Sequence, residues 1–228
     1  MTIARLILLS GISLLLGLVG CQIRPFQTVA LHDDPSRLVR LEVNPTVGRS
    51  HSHPADITTD EMAAVLSGVM IEESRSMSPL PSRHPAFDPT EVSFFAPLFA
   101  QGLRVATSEE IVTFTQTTKQ TAIINTVHKV TSGGIFIDGN ELHFVLGNYR
   151  SPTNYASDPG IGATLDGRSA PLKPIAPQQP KLDFEPATAI APSREGIWEK
   201  LLRPERSEIV VLFKRLTSTQ SDGDYKSN

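Results

Sequence analysis

Residues 135–146 have the sequence IFIDGNELHFVL, and this stretch decides the fold expected for the chain. Apolar and polar residues alternate on both sides of Asp138-Gly139-Asn140, which is typical of a tight β-hairpin turn. With Gly139 and Asn140 at the turn, the side chains that face each other across the hairpin are apolar: Ile137 opposite Leu142, and Ile135 opposite Phe144. The hairpin therefore predicts one apolar face of an antiparallel sheet.

The chain on either side of this hairpin has the same extended pattern. Residues 111–118 and 121–131 are rich in Thr, Val and Ile, which favour strands, and Gly133-Gly134 predicts a bend or bulge. Three further strands are expected from apolar runs: Arg37 to Val43, an edge strand within Leu182 to Ile190, and a last strand from Ile209 to Leu216. Together these segments predict a small antiparallel meander in a sheet of roughly four to six strands.

About two helices are expected to pack on this sheet. Thr58 to Arg75 carries an apolar stripe behind a threonine cap, and Gly68 within it indicates that a neighbouring element packs closely. Asp88-Pro89-Thr90-Glu91 marks the start of the second helix, because it combines an Asp cap with Pro and Glu at the first and third helical positions. Pro97 is expected to kink or shorten that helix, and Gly102 to end it. The predicted fold class is α+β.

A single domain is expected over residues 37–216, interrupted by a long Pro-rich irregular segment at 151–204. That segment holds 9 of the chain's 18 prolines. Within it, Pro171 to Pro180 (PLKPIAPQQP) is expected to be extended, near polyproline II. Preformed extended chain loses little entropy on docking, so this part is a candidate contact segment. Residues 217–228 are predicted to be a polar, disordered tail.

The composition restricts the classes of function. The 228 residues are 39% hydrophobic, which is enough for a folded core, and 24 acidic residues against 21 basic ones give a net charge of -3. This balance argues against a nucleic-acid partner, because proteins that bind nucleic acids usually carry a basic patch. The chain has one cysteine, Cys21, so an intramolecular disulfide or a multi-cysteine metal site is excluded. No cofactor motif is present, and no cofactor is expected.

The N-terminus has the pattern of a secretory signal peptide. One positive charge, Arg5, precedes an uncharged apolar run of 14 residues from Leu6 to Val19. A helix that spans a bilayer needs about 20 apolar residues, so this run is short for a membrane span and fits the apolar core of a signal peptide. The run ends in Leu18-Val19-Gly20-Cys21, where the cysteine lies. Residues 1–20 are therefore predicted to be a cleaved leader.

The quartet Leu18-Val19-Gly20-Cys21 resembles the lipobox of bacterial lipoprotein precursors. The resemblance is limited to the leader and implies cleavage between Gly20 and Cys21, followed by attachment of diacylglycerol and acyl chains to Cys21. Residues 21–36 would then be a tether to the membrane. Gln22, in place of the aspartate that commonly signals inner-membrane retention, implies the outer membrane, with the domain facing the periplasm.

Three histidines, with the carboxylate of Asp56 near two of them in sequence, form the cluster that most resembles a metal site. His51 and His53 lie in a predicted polar loop, Asn44 to Asp56, and His84 lies in a second predicted loop, Ser76 to Pro85. Imidazoles suit zinc or copper, so these three residues are candidate metal ligands. The alternative interpretation of the His51-Ser52-His53 sequence is an exposed, flexible loop.

Two more histidines, His128 and His143, fall on predicted strands. The alternation of residues places His143 on the face opposite Leu142, close to Phe136 and on the same side as Glu141. A general base needs a nucleophile or carboxylate to orient it, and no hydrolase motif accompanies these residues. The alternative is an ordinary half-buried histidine.

A polar aromatic group at the end of a predicted strand is the candidate ligand surface. Its members are Asn148, Tyr149, Arg150, Asn154 and Tyr155. Tyrosines stack on sugars or peptides, while asparagine and arginine side chains hydrogen-bond to them. Asn and Gly are also common where strands end, because they build turns, so the group has a purely structural alternative.

Together these observations predict a lipid-anchored envelope protein that acts as a non-catalytic binding or assembly module. Its expected partners are the membrane, through the lipid, and an envelope protein or glycan. One alternative is a lipid-anchored periplasmic hydrolase or metal-binding enzyme that uses the loop histidines. Another is a structural lipoprotein without a small-molecule ligand.

Overall fold

The computed structural model describes residues 28–44, 50–73, 82–121, 126–153, 168–175, 181–192 and 207–216. The strands in these residues are β1 (Ala30–Asp33), β2 (Arg37–Val43), β3 (Val69–Glu73), β4 (Ser82–Pro85), β5 (Glu110–Thr121), β6 (Thr126–Asp138), β7 (Glu141–Pro152), β8 (Lys181–Phe184) and β9 (Ser207–Val211). The two longer helices are α1 (Thr59–Gly68) and α2 (Pro89–Val105). The expected α+β class is confirmed.

The central meander is confirmed, with the predicted register. β5, β6 and β7 pair in sequence as antiparallel neighbours, and the hairpin places Ile137 opposite Leu142 and Ile135 opposite Phe144. Gly139 has a φ of 62°, the left-handed conformation that this turn requires. The register shifts between Ser132 and Gly133, which agrees with the expected bulge. These three strands are 12 to 13 residues long, so the meander is larger than predicted.

Six strands form the larger sheet, in the order β1-β2-β5-β6-β7-β9, with all neighbours antiparallel. β2 has the predicted bounds, Arg37–Val43. The last strand ends at Val211, whereas the sequence predicted a strand to Leu216. Beyond Val211 the chain turns, because Arg215 and Leu216 donate backbone hydrogen bonds to the carbonyls three residues earlier. This turn lets Phe213 reach the core.

Helix α1 begins as predicted but ends earlier. Thr58 and Glu61 form a reciprocal capping box at its start. The helix ends at Gly68 and not at Arg75, because Val69–Glu73 forms strand β3 between β4 and β8. At Gly68 an added Cβ atom would lie 2.4 Å from Cζ of Phe184, so the absence of a side chain lets the β8 end of the chain close over the helix terminus.

The sequence patterns predicted only part of the second sheet. Its strand order is β4-β3-β8. Ser82–Pro85 was expected to be loop but forms the edge strand β4, because its backbone pairs with β3. The expected edge strand at Leu182 to Ile190 forms only as far as Phe184, and Ala187–Ala189 is a 3₁₀ turn.

Helix α2 begins with the predicted capping box between Asp88 and Glu91, followed by Pro89. It was expected to end at Gly102 but continues to Val105. Gly102 does not end the helix but lets it pack closely on the sheet. An added Cβ atom there would lie 2.7 Å from the side chains of Leu31 and Val112. Pro97 lies inside the helix, and buried residues on both sides of it hold the helix against the sheet: Phe95, Phe99 and Leu103.

An aromatic cluster fills the space between α2 and one face of the larger sheet. Phe95 and Phe99 of the helix both contact Phe114 of β5, with ring centroids 5.6 and 5.3 Å apart. Phe87 and Phe144 complete the cluster around Phe114, at 5.9 and 6.0 Å. We call this the inner face of the sheet, and the opposite one the outer face. No helix within the described ranges is long and apolar enough to cross a membrane.

Gly68→Ala tests the close packing at the end of α1. The new Cβ atom would meet the Phe184 ring and the Glu185 carbonyl oxygen, which is backbone and cannot rotate away. We expect the variant to lose about 1–3 kcal/mol in the free energy of unfolding, although alanine favours the helix. Chemical denaturation measures this, with the exposed neighbour Ser67→Ala as control. A stability equal to that of Ser67→Ala would contradict the packing described here.

Candidate functional site

A segment of the Pro-rich region crosses the outer face of the larger sheet. We call residues 168–175 the strap. Leu172 of the strap packs against a small apolar cluster on that face, formed by Ile111, Phe136 and Val145. At Gly147 of β7 an added Cβ atom would lie 2.3 Å from the carbonyl oxygen of Pro171, so the strap lies directly on the strand backbone. The outer face of the sheet is therefore covered where the strap crosses it.

A buried polar network holds the strap in place. The Asn148 side chain donates to the carbonyl of Lys173 and to the hydroxyl of Ser132, at 2.8 and 2.9 Å, and its oxygen accepts from the backbone N–H of Ile175 at 2.7 Å. The Ser132 hydroxyl in turn donates to the carbonyl of Pro171 at 2.7 Å. Asn148 and Ser132 are both fully buried. Asn148 thus replaces the strand partner that the strap backbone lacks.

Two of the five residues predicted to form a ligand surface at the end of β7 are therefore buried. Asn148 is buried under the strap, and Tyr149 is buried in the main core on the other side of the strand. Arg150 is exposed, while Asn154 and Tyr155 lie outside the described residues. The polar composition of this strand end indicated exposure, but the side chains are used to join chain segments that are distant in sequence.

Tyr149 connects the two sheets. Its hydroxyl oxygen lies 3.0 Å from Nε2 of His84 on β4. Burial raises the pKa of the Tyr149 phenol, so the hydroxyl keeps its proton at neutral pH. The strand pairing of Ser82–Pro85 thus brings His84 to a tyrosine of the larger sheet.

His51 and His53 are buried, so the expectation of an exposed, flexible loop is wrong for these two residues. They form a wedge, residues 51–53, inserted where β5 begins and β6 ends. His51 donates its backbone N–H to the Ser108 carbonyl, and Ser52 donates to the Ile137 carbonyl, at 2.8 and 2.9 Å. The His51 ring packs on Phe136, with centroids 4.4 Å apart. The wedge therefore continues the hydrogen bonding of the sheet beyond its last paired residues.

The ring of His53 bridges two strands. Its Nε2 accepts a hydrogen bond from the backbone N–H of Ile137 at 3.0 Å, so Nδ1 carries the proton and donates to the carbonyl of Glu110 at 2.8 Å. This arrangement needs the neutral imidazole, because a protonated Nε2 could not accept. Burial lowers the pKa of His53 below its ordinary value, which agrees with the neutral form.

These partners limit the candidate metal site. Both ring nitrogens of His53 are used by backbone groups, and Nε2 of His51 lies 2.8 Å from the side-chain nitrogen of Asn44. His84 lies on the other sheet, beside Tyr149. Nowhere in the described ranges do three or more His, Cys, Asp or Glu residues gather as a group that could hold a metal ion.

His143 lies where the alternation predicted, stacked on Phe136 with ring centroids 4.5 Å apart. Its carboxylate partner is Glu208 of β9 and not Glu141: Nδ1 of His143 lies 2.7 Å from Oε1 of Glu208. The other ring nitrogen, Nε2, is buried and has no hydrogen-bond partner among the residues that the structure describes. A carboxylate thus orients the imidazole, as in catalytic pairs, but the second nitrogen is not open to solvent.

A groove lies between the strap and strand β2. It has a volume of about 550 Å³, and its lining includes Thr28, Arg40, Glu42, Glu110 and Lys173. A second depression of about 360 Å³ shares Thr28, Arg40 and Ser169 with it and extends towards Asp33 and Arg168. The two depressions therefore form one elongated groove with Arg40 between them.

The groove carries charges of both signs. Arg40 and Glu42 lie two residues apart on the outer face of β2 and form an ion pair. Arg168 of the strap pairs with Asp33 and donates to the carbonyl of Asp34 at 2.8 Å, which holds the strap against β1. The side chain of Lys173 is exposed at the rim. No sequence pattern indicates this groove, because its two walls lie more than 120 residues apart.

The chain matches no protein-family model, no curated protein and no solved structure.

Asn148→Ala tests the attachment of the strap. The variant leaves the Lys173 carbonyl and the Ile175 N–H without their side-chain partner, and we expect a loss of about 1–3 kcal/mol in the free energy of unfolding. Hydrogen exchange measured by mass spectrometry should show faster exchange in residues 168–175 than in the wild type. Lys173→Ala, which removes an exposed strap side chain outside the network, is the matched control. Unchanged exchange in Asn148→Ala would refute the role assigned to this amide.

The wedge predicts a dependence of stability on pH. Because the pKa of His53 is lower in the folded protein, the unfolded chain binds a proton first as the pH falls below about 6.5. The folded protein should then lose up to about 1.4 kcal/mol per pH unit until the folded pKa is reached. His53→Gln, which cannot titrate, should remove this part of the acid loss.

Denaturation curves between pH 5 and pH 8 measure the effect. His128→Gln is the control for removal of a histidine outside the wedge, and it should leave the acid loss in place. Equal pH profiles for the wild type and His53→Gln would show that the His53 ring is not held in the neutral form by its two backbone partners.

Proposed function

We propose that this protein is a lipid-anchored lipoprotein of the bacterial cell envelope, and that it binds an envelope partner in the groove between β2 and the strap without catalysing a reaction. The observation that carries the binding part of the proposal is the groove itself, which lies between strand β2 and the hydrogen-bonded strap and has charges of both signs. The anchoring part depends on the leader and the Leu18-Val19-Gly20-Cys21 quartet.

The strap supports the binding role because buried hydrogen bonds attach it to the sheet. The buried bonds of Asn148 and Ser132 hold its backbone, so the groove does not have to be ordered when a partner binds. Residues 171–175 of the expected Pro-rich contact segment are used inside the domain, and residues 176–180 lie outside the described part. The partner is therefore proposed to contact the groove and not a free Pro-rich arm.

The lipid anchor would act by raising the local concentration of the domain near its partner. A lipid on Cys21 confines the domain to a surface, so even a weak contact in the groove would be occupied when the partner shares that membrane. Several acyl chains hold a protein at a bilayer far better than one, at about 0.8 kcal/mol for each buried methylene. A groove of moderate affinity is sufficient under these conditions.

The enzyme alternative has less support. Both ring nitrogens of His53 are hydrogen-bonded to backbone groups, and Nε2 of His143 is buried. A general base must reach the proton that it removes, either directly or through one water molecule. These contacts favour structural roles for both histidines.

Expression in a Gram-negative host tests the anchoring, with Cys21→Ser as the matched variant. We expect the wild type to have an intact mass that begins at Cys21 and includes added acyl chains, and to be found in the outer-membrane fraction. Cys21→Ser should lack the added mass and leave that fraction. A wild-type product that retains residues 1–20 and carries no acyl chain would contradict the proposal.

Site-specific photocrosslinking tests the groove. A photoreactive residue at Ser169, which is exposed in the groove, should capture a defined partner in cells, whereas the same residue at the exposed Ser93 of α2 should not. Arg40→Gln should lower the yield at position 169 several-fold, because Arg40 lies between the two halves of the groove. Identical products at positions 169 and 93 would argue against a binding groove, and the mass of the adduct would distinguish a protein partner from a glycan.

A further inference from the structure

The described residues expose three large hydrophobic side chains, and all three are valines. Val29, Val43 and Val105 have exposed fractions of 47%, 41% and 54%. Single exposed apolar residues are ordinary on a protein surface and need no explanation. These three valines, however, lie at the same end of the larger sheet.

Val29 and Val43 lie at one end of the β1-β2 edge of the larger sheet. The backbone N–H of Leu41 donates to the carbonyl of Val29 at 2.9 Å, so Val29 lies beside Leu41. Val43 is two residues further along β2 and lies on the same face as Leu41. Both valines therefore lie where β2 ends and β1 begins.

Helix α2 brings Val105 to the same end. Near its start, Phe94 contacts His32 and lies under the guanidinium of Arg37, which mark the opposite end of β1 and β2. Two turns later, Gly102 packs against Leu31 and Val112. The helix thus runs alongside β2 in the same direction, and Val105 lies beyond Gly102 at the end that carries the other two valines. We call Val29, Val43 and Val105 the valine corner.

The tether was expected to extend to residue 36, but Ala30–Asp33 forms β1, so the tether ends at Val29 and enters the domain at this corner. Six residues, 22–27, separate Cys21 from Thr28, which directly precedes Val29. A chain spans at most about 3.6 Å per residue, so Cys21 lies within about 30 Å of Val29. A lipid on Cys21 therefore brings the bilayer surface within reach of the valine corner, and the opposite end of β2 lies a further 20 Å or so away.

We propose that the valine corner rests on the lipid bilayer and orients the domain on it. This inference rests on the proposed lipid anchor. The occupant is the interfacial region of the membrane, because the short tether places that surface nearest the corner. The lipid supplies the affinity, so three valines are enough to select one orientation among those that the tether allows. In this orientation the groove, which shares Thr28 with the tether, opens close to the membrane surface.

The test supplies the anchor chemically, so that it does not depend on processing in cells. A chain that begins at Cys21 is coupled through this cysteine, its only one, to a maleimide lipid in vesicles of phosphatidylethanolamine and phosphatidylglycerol. An environment-sensitive fluorophore is attached through a genetically encoded ketone residue at position 43, 105 or 118. Thr118 is the control, because it is exposed and lies on β5 beyond the residue that pairs with Arg37, at the far end of the sheet.

We expect lipids that carry a nitroxide quencher to reduce the fluorescence at positions 43 and 105 at least threefold more than at position 118. In a second arm the fluorophore is placed at the exposed Glu109, whose carbonyl accepts from Asn44 directly after Val43. The triple variant Val29→Ser, Val43→Ser and Val105→Ser should lose most of the quenching at this position. All three valines are exposed, so the variant should keep the circular dichroism of the folded protein.

Three results would overturn the inference. Equal quenching at positions 43, 105 and 118 would show a freely tumbling domain, and unchanged quenching at Glu109 in the triple variant would show that the valines do not orient it. A blue-shifted emission at positions 43 and 105 without quenching by lipid would indicate a second copy of the chain as occupant. If instead the orientation is found here but protein made in cells carries no acyl chain, the proposed function fails while the membrane-contacting corner stands.

Discussion

The burial of both faces of the β5-β6-β7 meander is the constraint on which the rest of the structure depends. One face is covered by the phenylalanines of α2, and the other by the strap and the wedge of residues 51–53. Where the strap backbone lies directly on a strand, there is no room for a side chain between them. Gly147, which has none, lies at this point under Pro171. The groove exists because the strap covers β6 and β7 closely but stands away from β2.

The predictions that succeeded depend on neighbours in sequence. The register of the Gly139 hairpin and the cap at Asp88 are determined within a few residues, so the local pattern contains the information needed. The predictions that failed depend on distant partners. Helix α1 ends at Gly68 because Phe184, more than a hundred residues later, packs there. Similarly, Asn148 looked like part of an exposed ligand surface, since nothing in its own strand reveals that the strap covers it.

Polar side chains that the sequence indicated as functional instead supply hydrogen bonds that a neighbouring strand would otherwise provide. Asn148 provides a donor and an acceptor to a strap that has no neighbouring strand, and His53 does the same between β5 and β6. In both cases one planar group with a donor and an acceptor replaces a peptide unit. Residue types alone do not separate this use from metal or ligand binding, because the same atoms serve both. The groove, by contrast, is formed between segments that are distant in the chain, so no local sequence pattern indicates it.

The order of the strands in the sheets has a consequence for biosynthesis. β9 completes the larger sheet beside β7, and β8 completes the smaller one beside β3, while the strap that covers the outer face follows β7 in the chain. A polypeptide emerges from the ribosome with its N-terminus first, so neither sheet can close until the last fifth of the chain has appeared. Until β9 appears, the β7 edge of the meander has no partner strand among the described residues, and an open strand edge is prone to aggregation. The nascent chain would thus reach its complete fold only late in its synthesis.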